Sequence, residues 1–280
     1  MKKFTLCLLG MALPFYMTSQ SLEIVGDAEI NGRITNVSDP VNPQDAATKA
    51  YVDQINQLMM EAGLYGIVED IDGNVYKTIK IDTQIWMAEN LRVTRYNDGT
   101  AITNVTDNTT WANLNTPAYS WYSNDSTLYS KFLGALYNYY TVADTNSLNV
   151  CPNGWHIPTD QEWTDFTDIL EANGYGFGFS GADIAKSLAS KFGWSSSTGS
   201  GRVGDNQGTN NKSKFTIVPA GLRTSSVGNF STIRFSGTLW SSTEESGSMS
   251  WVRDILYSNE NMLRNKYDKS TGFSVRCLKD

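Results

Sequence analysis

A loop-rich α+β domain of short antiparallel strands and two helices, after an N-terminal short strand and coiled-coil-like helix, is the fold class this sequence predicts. Three observations predict it. The 280 residues include 14 Tyr, 11 Phe and 8 Trp but only 18% charged side chains, with Ser, Thr, Asn and Gly filling the gaps, which is the composition of turn-rich β structure rather than a helical bundle. Short β-prone runs recur late in the chain between Gly, Ser and Asn turns: KFTIVPAGLR, TLWSSTE, SWVRDILY and GFSVRCL. Helical signals are confined to a few segments, the clearest beginning at TDQEW. The length suits one large domain with an appendage. A net charge of -7, a pI near 4.8 and the lack of a basic block argue against a nucleic-acid partner, because neutralising phosphates needs clustered Lys and Arg.

Residues 1–20 read as a signal peptide. MKK is a short positive start, FTLCLLGMALPFYM an apolar run too short to span a bilayer comfortably, and TSQS supplies small or polar residues for cleavage near Ser19 or Gln20. Cys7 falls inside the apolar run and is read as part of the signal, not as a lipidated cysteine. The expected location is therefore outside the cytoplasm, at the cell surface or secreted. No later segment is apolar for long enough to predict a membrane span. Processing leaves Cys151 and Cys277, and in an oxidising compartment such a pair is expected to be a disulfide. Closing so long a loop contributes at most roughly 5 kcal/mol in the chain-entropy account.

Residues 21–63 form a neck. AEINGRITNV alternates as a weak strand with a turn at Asn31-Gly32. Pro43 and Asp45 then signal a helix start and Gly63 a stop. Val52, Ile55, Met59 and Ala62 recur at spacings of three and four, a narrow apolar seam that a short helix buries by self-association. ITNVSDPVNPQDAATKAYVDQI resembles the neck segment of phage tail fibres and related bacterial surface proteins, and that resemblance implies a homotrimer formed through residues 45–62. The alternative is a monomeric helix packed on the next domain.

Residues 64–280 read as one domain. The turn DIDGN precedes Val75, Lys77, Ile79 and Ile81, which predicts a hairpin. A loop-rich region runs from 97 to 149. In VCPNGWHIPTDQEW, Thr159 and Glu162 fit a capping box, and Trp163, Phe166, Ile169 and Leu170 supply an apolar helix face. GADIAKSLAS is the second helical segment. In GFSVRC, period two puts Phe273, Val275 and Cys277 on the inner face and Ser274 and Arg276 on the other.

DIDGNVYKTIKIDTQIWMAENLRVTRYNDGTAI, CPNGWHIPTDQEW, IVPAGLR, LWSSTE and GFSVRC, in that order, resemble the Fibrobacter succinogenes major paralogous domain family of exported bacterial proteins. The family is similar to the C-type lectin-like fold, so the resemblance implies joined N- and C-terminal strands, two helices and a long display loop. PTDQEW and GFSVRC also resemble blocks of formylglycine-generating enzymes and of variable phage receptor-binding proteins. The paired C-terminal cysteines of those enzymes are not matched, since only Cys277 stands there. Fold alone does not give function.

Four candidate sites follow. Cys151 and the single histidine, His156, read either as nucleophile and base or as scaffold; a disulfide removes the thiol that catalysis needs. Asp70, Asp72 and Asn74 alternate as in a calcium loop, yet the twelfth-position glutamate of an EF-hand is missing, so a tight turn is the competing reading. Glu244 and Glu245 are the carboxylates a hydrolase would use, or else a solvated turn. Tyr257, Asn259, Asn261, Arg264 and Tyr267 sit in or beside turns between late strands and offer rigid aromatic bodies with polar handles, as recognition surfaces do; a plain hairpin with the tyrosines as cross-strand cover is the alternative. The expected function is a non-catalytic binding or adhesion protein without cofactor or metal, taking a protein or glycan ligand. A structural fibre or fimbria subunit and a polysaccharide-acting hydrolase are the alternatives.

Overall fold

The computed structural model describes Leu58 and residues 66–143, 148–178 and 182–280. The signal segment and the neck lie outside these residues, apart from Leu58, which is helical. Among the described residues, five strands make the largest sheet, in the order β1 (Gly66–Glu69), β2 (Val75–Ile81), β3 (Gln84–Met87), β13 (Leu278–Lys279) and β7 (Trp155–His156). β1 and β2 form the hairpin that DIDGN predicts, in register from Glu69 opposite Val75 to Gly66 opposite Thr78. The C-terminal strand β13 is inserted between β3 and β7, so the two ends of the domain share one sheet.

A second sheet is the antiparallel meander β10 (Ser236–Glu244), β11 (Met249–Leu256) and β12 (Leu263–Asp268), with a bulge in β10 between Trp240 and Glu244. Two smaller sheets join β4 (Thr103–Asn104), β5 (Ala118–Ser120) and β6 (Leu136–Tyr137), and β8 (Leu222–Arg223) with β9 (Phe230–Ser231). Of the β-prone late runs, KFTIVPAGLR and GFSVRCL form strand only at their ends, Phe273 and Ser274 of the latter making isolated bridges. Lys214 and Thr216, at the start of the first of these, adopt positive φ, which breaks an extended run.

Five α-helices are described where two were expected: α1 (Asn108–Ala112), α2 (Ser126–Leu133), α3 (Tyr139–Val142), α4 (Asp160–Ala172) and α5 (Ala185–Leu188). Three of them lie in the region read as loop. α4 starts as predicted: Thr159 Oγ1 accepts from Glu162 N (3.2 Å) while Glu162 Oε2 accepts from Thr159 N (2.8 Å). The expected helix in GADIAKSLAS shortens to the single turn α5.

Strand alternation places the core on both faces of the sheet. Along β3, Trp86 enters one apolar cluster and its neighbour Met87 the other. Tyr76, Tyr137, Trp240, Val252 and Phe273 share the cluster of Met87. On the other side Trp86 packs on Trp163 and Phe166 with ring centroids 4.7 and 4.6 Å apart, each such pair contributing about 1 kcal/mol beyond burial. The expectation that Arg276 faces outward is corrected here. Arg276 and Ser274 are as buried as Phe273 and Val275, because this last segment runs between packed layers and has no solvent face.

Candidate functional site

Cys151 and Cys277 are joined by a disulfide, their Cα atoms 5.9 Å apart and both residues fully buried. Each stands just before a strand, β7 and β13, and these strands pair through His156 and Leu278. The bridge therefore staples a contact that the sheet already makes. His156 sits between two carboxylates: Nδ1 lies 2.6 Å from Asp280 Oδ1 and Nε2 lies 3.0 Å from Glu162 Oε1. Burial works against the charged ring, but the bonds to Asp280 and Glu162 outweigh it and hold the pKa above the ordinary histidine value. The histidine thus ties the C-terminus to the capping glutamate of α4, and the thiol of Cys151 is spent.

The five hairpin residues are not gathered on one surface. Leu263–Asp268 is itself strand β12, so Arg264 and Tyr267 lie on a strand rather than in a turn, and strand geometry points them to opposite faces. Tyr267 packs edge-on against Phe273 at 4.9 Å, and burial raises its pKa. Tyr257 packs on Phe235 at 5.1 Å on the side of the other cluster. Arg264 spans from the hairpin to α4: its guanidinium lies 3.3 Å from the Trp251 ring centre and donates to both carboxylate oxygens of Asp160 (Nε at 3.0 Å, Nη2 at 2.8 Å). Asp160 also accepts from Arg253 Nη1 (2.7 Å); burial opposes its charge, but the two arginines prevail and keep its pKa below the usual carboxylate range. Asn259 and Asn261 stay in the turn, where Asn259 Oδ1 accepts from Asn261 N (2.9 Å) and Asn259 O from Val203 N (3.3 Å). The two tyrosines therefore pack on different apolar clusters, Arg264 braces the hairpin against α4, and the two asparagines stay in the turn.

In the DIDGN turn the carboxylates face donors. Asp70 Oδ1 accepts from the amides of Asp72 and Asn74 (2.9 Å each), and Asp70 Oδ2 from Tyr76 Oη (2.5 Å). Asp72 Oδ2 accepts from Thr94 N (2.6 Å) and Thr94 Oγ1 (2.8 Å), and Asp72 Oδ1 from Arg95 Nε (2.6 Å). Burial pushes the Asp72 pKa up, but these bonds more than reverse it and leave it lowered. Among the described residues no three His, Cys, Asp or Glu side chains converge as a metal set. Glu244 and Glu245 are each engaged by a lysine, Lys269 and Lys266, at 2.7 Å.

Sequence reasoning missed the cleft beside this turn, about 830 Å³ in volume. Its walls are the turn itself, Arg92, Thr94 and Arg95, the half-exposed Trp121 after β5, and Ser130 and Lys131 in the last turns of α2. Arg92 stacks on Tyr76 at 4.4 Å and donates from Nε to Asn74 Oδ1 (3.3 Å) and from Nη2 to Val75 O (2.8 Å). Two bonds dock α2 against this wall: Ala135 N donates to Leu91 O (2.9 Å) and Asn90 Nδ2 to Leu133 O (2.8 Å). Gly134, which ends α2 at φ 75°, permits that approach, since a Cβ there would fall 2.6 Å from Asn90 Cβ. Arg92 and Arg95 were visible as a spaced basic pair, but Trp121 and Lys131 lie too far along the chain for spacing to place them together.

A disulfide-closed α+β domain whose two ends share a sheet, with its histidine and cysteines committed to scaffold contacts, is the class of protein these features define. The chain belongs to the Fibrobacter succinogenes major domain family, whose model matches residues 79–279. No curated protein and no solved structure matches the chain.

Proposed function

We propose that this chain is an exported, non-catalytic binding or adhesion protein that displays a C-type lectin-like domain on a trimeric, tail-fibre-like neck and takes a protein or glycan ligand. The disulfide carries the reading. A buried bridge between Cys151 and Cys277 is characteristic of an oxidising compartment, in keeping with the apolar leader of the sequence, and it consumes the thiol that a Cys–His pair would use. The insertion of β13 between β3 and β7, with long irregular segments carried outside the sheets, supports the lectin-like reading. No helix among the described residues is long and apolar enough to cross a membrane.

The test is a sedimentation and array experiment on the processed chain. Residues 21–280 are expected to sediment as a trimer and residues 64–280 as a monomer, with the trimer retaining a partner on a glycan or protein array in EDTA. A monomeric processed chain contradicts the neck, and release of hydrolysed product from an arrayed glycan contradicts a role without chemistry.

One observation favours a second reading, a structural subunit of a fibre or fimbria. Leu128 and Phe132, one helical turn apart on α2, are exposed, and Phe132 stacks on the exposed Phe192 with centroids 5.4 Å apart. An apolar patch of this kind is what neighbouring subunits cover.

A further inference from the structure

We propose that the cleft between the DIDGN turn and α2 binds an anionic saccharide, a sugar chain carrying carboxylate or sulfate groups. This rests on the binding reading above and names its site and ligand class.

Arg92, Arg95 and Lys131 line the cleft against two carboxylates, Asp72 and Glu89. Both carboxylates are already engaged, Asp72 by Thr94 and Arg95 and Glu89 by the amide of Lys77 at 2.7 Å. The cations keep spare capacity. Arg92 bonds through Nε and Nη2, and Arg95 through Nε to Asp72 and Nη2 to Ile71 O (3.5 Å), which leaves Nη1 of each without a partner among the described residues. Lys131 Nζ is likewise unpartnered among them and exposed. Three solvent-facing cationic donors around one concavity, with both carboxylates engaged, suit an acceptor-rich, negatively charged occupant.

Shape and the aromatic wall narrow the class. About 830 Å³ is the volume of a site for one or a few sugar rings, not for a simple inorganic anion. Trp121 is half-buried on the cleft wall, held edge-on by Tyr119 at 5.4 Å, and supplies the rigid aromatic surface against which the C–H side of a pyranose would pack. A bare anion leaves that ring uncovered. The net charge of -7 does not forbid an anionic partner, because charges more than about 8 Å apart are screened at physiological ionic strength while cations inside a cleft act at contact.

Calorimetry on the processed chain, residues 21–280, tests this with four probes: galacturonate oligosaccharides, a sulfated galactan oligosaccharide, the neutral galactan oligosaccharide and polyglutamate. Either acidic sugar, or both, is expected to bind; whichever binds more tightly identifies the anion. Binding should weaken as salt rises, and the neutral sugar should fail. Lys131→Gln, at an exposed position where folding is not at stake, should weaken binding about tenfold, the loss of one charge-assisted bond. Trp121→Ala should remove the sugar signal; because the ring also packs on the core, its midpoint should fall, and a cooperative melt with a parent-like circular dichroism spectrum shows that the variant is folded.

Equal binding of neutral and acidic sugars, polyglutamate binding as tightly as the acidic sugars, or a Lys131→Gln variant with unchanged affinity overturns the assignment. If the acidic sugars fail while the chain still retains some partner on an array, this site falls and the binding reading stands. If every array is blank, both fall.

Discussion

Arg276 shows how this domain treats charge at the scale of single residues. The guanidinium is wholly enclosed and donates to Asn90 Oδ1 (2.7 Å), Met87 O (3.0 Å), Phe215 O (2.9 Å) and Thr216 O (2.8 Å). Burial pulls its pKa down to about 9. Arg223 is treated the same way, with carbonyls of Val105, Thr106 and Gly228 around it, and Lys186 Nζ reaches the carbonyls of Arg202, Asp205 and Asn206. These cations tie together loops that contribute few regular backbone bonds, each gathering several main-chain carbonyls around one buried charge. Period two pointed Arg276 outward because the pattern reads local geometry and cannot know that both sides of a segment are covered. Asp254 is the acidic counterpart. Burial raises its pKa to about 6, and the bond from Thr238 Oγ1 (2.9 Å) only partly offsets this. The native state then holds a proton that the unfolded chain releases, so stability contributed by this group is present at low pH and lost as pH rises from the ordinary value of 3.8 to about 6. Asp254→Asn removes that loss. Urea denaturation at pH 7.5 should find the variant more stable than the parent by up to about 3 kcal/mol, with the gap closing near pH 4. A gap that does not change with pH would contradict a buried, proton-holding carboxyl.

At the scale of elements, legibility followed length and periodicity. α4 was readable because a capping box and two turns of apolar spacing coincide. α1, α2 and α3 carry cap residues too, Asp107, Asp125 and Asn138, each accepting from a first-turn amide. Only one or two turns follow each cap, too few for a 3.6-residue period to stand out from turn-rich sequence. β12 escaped for a similar reason: it alternates half-buried and exposed side chains with charges on the exposed ones, the look of a polar turn. The β1–β2 hairpin was legible because turn chemistry and alternation agree. The start of α4 also carries a pH signature through His156, which bonds Glu162 and Asp280. Its raised pKa means that this bond stabilises fully below the ordinary value of 6.5 and fades as pH rises through the raised folded value. The ring is about one third exposed, so solvent screening limits the effect to about 0.5 kcal/mol. His156→Gln should therefore lower the denaturation midpoint slightly at pH 5.5 and leave it unchanged at pH 9. A penalty that grows with pH would mean that the ring is held neutral.

For the whole molecule, the sequence carried the family and the pairing of the two cysteines but not the cleft. Family blocks and cysteine count are local or compositional features. The cleft is a product of topology, since Arg92, Trp121 and Lys131 meet only because Gly134 lets α2 close on the segment after β3. Topology also explains why the bridge matters. Because β13 is inserted between β3 and β7, the end of the chain completes the central sheet, and the sulfurs lock that insertion across a separation of 126 residues. In the chain-entropy account the bridge contributes up to about 5 kcal/mol, comparable with the net stability of a domain. The most direct test of the account is a thiol titration of unreduced, denatured chain spanning residues 21–280, with mass mapping of the peptides that contain Cys151 and Cys277. No free thiol and a single cross-linked peptide pair are expected. Two reactive thiols per chain would contradict the bridge and return Cys151 to the list of possible nucleophiles.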